Sequence, residues 1–162
     1  MEPREPIEPE GLFDGLRGVP ILLSALIDYL ATLLATGLLL GAVAPEIASG
    51  SFSQETADRL SASQPFLLGM LLIGTLCTVF AAFLGARMAG RLFVSHGGWI
   101  AVTGTVLSLV YLLPISDPAA ASQPELVIPL WYEVLAWLLI LPAGIAGGLL
   151  ARAVSGGEPD PS

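Results

Sequence analysis

Asp28 is the residue of this chain best placed to do chemistry, because it is the charge set deepest inside a long apolar run. It lies nine residues past Val19, and Ser24, Thr32 and Thr36 recur at helical spacing along the same face. An ionisable residue at that depth in a bilayer costs at least ~2.5 kcal/mol, so it points to function by default. The chemistry open to it is the handling of a proton or a cation. A neutral acid bonded to Ser24 or Thr32, or an ion pair with Arg87, would serve structure alone, and the sequence leaves these alternatives open. Glu133 is the second candidate. It shares a helical face with Trp137 and Gly144 and reads as a solvated interfacial acid or, otherwise, as an outer station on a path through Asp28.

The other reactive side chains point nowhere further. His96 has no second histidine or cysteine at ligand spacing. Cys77 is the single cysteine, which excludes an internal disulfide and a cysteine-cluster metal site, and among apolar neighbours it reads as a small hydrophobe. No phosphate loop, nucleophile elbow or zinc motif occurs. No catalytic, cofactor-binding or metal-binding residues are therefore expected, and the chain is not expected to be an enzyme.

The elements that must position Asp28 are membrane spans. The 162 residues are 54% hydrophobic and 12% charged, with mean hydropathy +0.80, whereas soluble domains carry about 25% charged residues. From Phe66 to Ala86 there is no charge at all. About 20 such residues at ~1.5 Å rise cover a ~30 Å hydrocarbon core. Four runs qualify, at about 19–44, 66–91, 97–114 and 130–151, which predicts an all-α integral membrane four-helix bundle spanning 19–152. Residues 1–18 read as an acidic, proline-rich disordered tail and 153–162 as a flexible one. Glu46 to Gln64 reads as a polar loop, Leu92 to Gly98 as a short turn, and Pro142 as a kink in the last span. The sequence AVA before Pro45 imitates a signal-peptidase site. The acidic flank, the length of the run and the following proline argue against cleavage.

Orientation follows from the arginines, since there is no lysine. Arg4, Arg17, Arg87, Arg91 and Arg152 fall on one side of such a bundle and Arg59 on the other. That places both termini in the cytoplasm, with Arg87, Arg91 and Arg152 anchoring the inner interface of the cell membrane. No basic patch exists to neutralise phosphates, so nucleic acid is excluded as a partner.

Packing is expected to run through small residues, because apolar burial cannot drive helices together in lipid. Gly74 and Gly85 share a stripe on the second span, Gly104 sits in one on the third, and Gly144 and Gly148 form a GxxxG on the fourth. Gly37 and Gly41 form another GxxxG, on the face of the first span opposite Asp28. A helix with contacts on both faces is either central in the bundle or at an oligomer seam; a homo-oligomer or another membrane protein is the expected partner, beside the lipid bilayer itself.

The segments Gly85-Ala86-Arg87-Met88-Ala89-Gly90-Arg91 and Gly147-Gly148-Leu149-Leu150-Ala151-Arg152 close their spans in the same manner. In this the chain resembles small uncharacterised four-span integral membrane proteins of bacteria and archaea. The resemblance implies a fold and no activity. The function expected first is that of a non-enzymatic membrane subunit or assembly partner. The alternative is a small transporter or channel using Asp28 as a proton- or cation-handling carboxyl.

Overall fold

The structure, a computed structural model, describes residues 15–48, 50, 52–112 and 126–156. Most of both tails and of the 115–129 loop lie outside the described residues. What is described is all-helical: α1 (Gly18–Val43), α2 (Pro45–Ala48), α3 (Gln54–Ser61), α4 (Gln64–Ala89), α5 (Phe93–Leu112) and α6 (Leu130–Val154). Three of these, α1, α4 and α6, are long and apolar enough to cross a membrane, and α5 is a shorter apolar helix.

Local chemistry sets the boundaries. Pro20 occupies the first turn of α1, where its missing N–H has no partner to lose. Gly90 ends α4 in the left-handed conformation (φ 72°), its N–H bonding the Ala86 carbonyl at 3.1 Å. α6 runs on through Pro142 as one helix.

Three expectations need correction. The stretch between the first two spans is not an irregular loop, for it holds α2 and α3. There Ser53 Oγ accepts from the Thr56 N–H at 3.3 Å, and Arg59 pairs with Glu46 at 2.6 Å. The Glu46 carboxyl lies below its usual range, held there by its own backbone N–H and by Arg59. The turn before α5 is also shorter than expected, because the helix begins at Phe93 and takes in His96, Gly97 and Gly98. Glycine's poor helix propensity is overridden there by packing against α6. Finally, Leu16 and Arg17 belong to the bundle and not to the tail, with Leu16 packed on Ile21, Ala82 and Ile100.

The helices alternate in direction. Ser24, early in α1, meets Gly85, late in α4; Gly97, early in α5, meets Gly144 and Gly148, late in α6. α4 and α5 each pack on all three other long helices, while α1 and α6 stand across the bundle from one another. Most buried side chains are small, with Ile21, Leu60, Phe66, Leu67, Leu71 and Ile100 as the large apolar ones among them. Ala25, Ala81, Ala82, Ala86, Ala101, Ala143 and Ala151 are buried, and Gly147 lies on Val79 and Ala82. Many large apolar side chains point outward: Leu34 is 67%, Leu38 68% and Leu138 66% exposed. This inverts a water-soluble core, where leucine is buried and contiguous exposed apolar surface is small.

Of the glycines expected to pack, Gly85, Gly144 and Gly148 do, and Gly104 lies against Asp28. Gly37, Gly41 and Gly74 do not. A methyl group at any of the three would meet nothing within 4 Å.

A Cβ at Gly97 would run into the Gly144 carbonyl and the Gly148 backbone, neither of which can swing aside. Gly97→Ala is therefore expected to cost about 1–3 kcal/mol through overpacking, whereas Gly37→Ala is neutral or gains up to ~1 kcal/mol of helix propensity. Denaturation of the micelle-bound protein by added SDS checks the pair. The reverse order of stability would refute the packing.

Candidate functional site

Asp28 stands ten residues into α1 from Gly18, and Thr78 stands eleven residues before the end of α4 at Ala89. At ~1.5 Å per residue both lie roughly 15–17 Å from the same end of the bundle. There they meet. Thr78 Oγ1 donates to the carboxylate, 3.0 Å from Oδ2 and 3.2 Å from Oδ1. Thr32, one turn along α1, lines the cavity beside it. From α5, Gly104 faces the acid so closely that a Cβ there would stand 3.3 Å from Oδ2. The carboxyl is buried, and among the described residues no cation pairs with it; the one ion pair there is Arg59 with Glu46.

The two halves of the bundle differ. On the arginine side of Asp28 the helices close on one another through Ser24, Gly85, Ile100, Gly97, Gly144 and Gly147. All buried residues of α1 (Pro20, Ile21, Ser24, Ala25 and Asp28) fall in this half, as do those of α6 from Ala143 to Ala151. On the other side the helices part around a cavity of about 390 Å³. Its wall combines the hydroxyl residues Thr32, Thr36, Thr75, Thr78, Thr105 and Ser108 with the aromatic residues Tyr29, Tyr132 and Trp137 and apolar side chains between them. Asp28 lies where the cavity gives way to the packed half. Met70 and Tyr132 also belong to an apolar cluster around Ala44, Leu60, Phe66 and Leu67, at the end away from Arg87, Arg91 and Arg152.

The remaining candidates fall elsewhere. Ser24 does not bond Asp28; its hydroxyl is fully buried against Gly85 with no partner among the described residues. Glu133 is exposed and forms no part of the cavity wall, so the inward-facing station is not found. Arg87 turns away from Asp28 and lies over the Phe83 ring, 5.8 Å from its centroid. Arg91 is exposed and Arg152 half-buried at the same end. His96 has a structural task the sequence did not reveal. Fully buried, it accepts at Nε2 from the Arg17 N–H (3.0 Å). Its Nδ1 lies 3.0 Å from the Leu92 carbonyl, so that nitrogen carries the hydrogen. The ring thus ties the start of α1 to the α4–α5 turn.

Thr75, Thr78 and Thr105 were not singled out from the sequence as companions of Asp28. The signal was present, for each of the three apolar helices facing α1 carries its polar or glycine residues at mid-length. Only the antiparallel arrangement shows that these levels coincide.

Fold and site together define an all-helical bundle with three helices of membrane-crossing length and a shorter fourth, enclosing one buried carboxyl at the edge of a central cavity. No protein-family model matches the chain, and comparison with curated proteins and with solved structures gave no match.

Thr78→Val keeps the side-chain shape and removes the donor to Asp28, so it is expected to cost about 1–3 kcal/mol. The same change in an Asp28→Leu background is expected to cost little, because the acceptor is gone. Equal costs in both backgrounds would show that Thr78 contributes packing alone.

Proposed function

We propose that the chain is a four-span protein of the cell membrane with both termini cytoplasmic, and that it carries a proton or small cationic solute by way of Asp28. The observation behind this is the unpaired carboxyl at the wall of a central cavity, on a bundle whose outer surface is leucine-rich. α5, with 20 residues, reaches ~30 Å at 1.5 Å per residue and would serve as the fourth span. Arg17, Arg87, Arg91 and Arg152 gather at one end, which supports placing that end inside. In a hydrocarbon setting a carboxyl is retained where it binds protons or ions, and it faces the bundle interior or a wet cavity.

Gly37 and Gly41 favour a second role, as a non-enzymatic subunit that packs with itself or with other spans. They form a GxxxG that meets no neighbour among the described residues.

Liposomes holding the purified protein and a pH-sensitive dye test the first role. A pH gradient is imposed with sodium, potassium or an alkylammonium salt on the far side. The wild-type protein is expected to discharge the gradient with at least one of these salts, several-fold faster than empty liposomes, and Asp28→Asn with none. Equal rates for the two proteins would overturn the assignment.

A further inference from the structure

We propose that the cavity beside Asp28 takes a small organic cation, a protonated or quaternary amine with an apolar or aromatic body, in preference to a metal ion. This rests on the carboxyl-centred function above and names its ligand class.

Charge comes first. Among the described residues the cavity wall has one charged group, Asp28, and no arginine reaches it. No counter-charge for it stands among the described residues, which leaves the place open to a proton or to the head of a bound cation. Size comes second. The cavity volume of about 390 Å³ falls at the small end of the ~300–1,000 Å³ typical of organic ligands. A dehydrated metal ion would leave most of it empty. Ligand chemistry comes third. A divalent ion wants six or more oxygens and usually several carboxylates, yet no group of three His, Cys, Asp or Glu side chains gathers among the described residues. The wall instead offers what an organic cation uses. Tyr29, Tyr132 and Trp137 are among the residues that line it, and aromatic side chains attract a cation. Leu33, Leu109 and Ile140 would cover an apolar body. The floor beneath Asp28 is closed by Ser24 on Gly85 and by Gly97 on Gly144, so a ligand would rest with its charged head at the acid and its body toward Tyr132.

Gly74 provides a test that spares the carboxyl. It lines the cavity, and a Cβ added there meets nothing within 4 Å among the described residues. Gly74→Leu should therefore fill the cavity while the helix gains propensity.

Equilibrium dialysis of radiolabelled benzyltrimethylammonium against the full-length protein in detergent decides the matter. Saturable binding to the wild-type protein is expected, with at least ten-fold weaker binding to Asp28→Asn and none to Gly74→Leu. Asp28→Glu should retain part of the affinity, and a hundred-fold excess of sodium, potassium or benzyl alcohol should not displace the ligand. No saturable binding to the wild-type protein, or unchanged binding to Asp28→Asn, would overturn the proposal. So would displacement by sodium or potassium at equal concentration, which marks an inorganic cation site. If the ligand fails to bind while Asp28-dependent discharge persists in liposomes, the carboxyl function stands and the ligand class alone is wrong.

Discussion

Close approach of helices at five glycines is the constraint on which the rest of this bundle depends. Gly85, Gly97, Gly144, Gly147 and Gly148 each stand where a methyl group would strike a neighbouring helix. With many large apolar side chains turned outward, van der Waals contact between closely set helices has to do what burial does in a soluble core. All five lie in the arginine half. They draw that end together, and helices that nearly touch at one end need only diverge modestly to leave room at the other. The cavity is the geometric consequence of gathering the glycines on one side of Asp28.

The carboxyl sits at the junction for a related reason. Deeper in the packed half there would be no space for its hydration or for a ligand; Ser24, one turn nearer that end, already has its hydroxyl buried without a partner. At the junction, Thr78 supplies a donor to both carboxylate oxygens and Gly104 supplies clearance. Those hydrogen bonds satisfy part of what the group loses on leaving water, and the open cavity offers the remainder. At the same end His96 ties Arg17 to the α4–α5 turn, which fixes the depth at which α1 enters. Through that register, a buried histidine far from the acid helps decide which residues the acid meets.

Much of the architecture was legible in the residues. Runs of apolar side chains near 20 residues long can form little but membrane-length helices, and the class followed from that alone. Gly85, Gly144 and Gly148 were visible as packing positions because their spacing repeats with the helix. Gly37, Gly41 and Gly74 share that spacing, yet they pack on nothing among the described residues, since periodicity gives a face and not its neighbour. The helical content of α2 and α3 was missed because their polar composition resembles a loop. Ser53 as a cap and Glu46 with Arg59 as a clamp act only once the segment is folded. Asp28 was conspicuous by charge, whereas Thr78 and the cavity were not, because they arise from the level at which separate helices meet.

The central claim is an apolar outer surface enclosing a polar interior at Asp28, and thiol reactivity on two neighbouring faces of α1 tests it most directly. In a Cys77→Ala background, Thr36→Cys places a thiol on the cavity wall and Leu38→Cys places one on the outer surface. In membranes, a small cationic methanethiosulfonate is expected to modify position 36 and to spare position 38. No reaction at 36, or equal reaction at both, would contradict the structure's division of α1 into an interior face and an outer face.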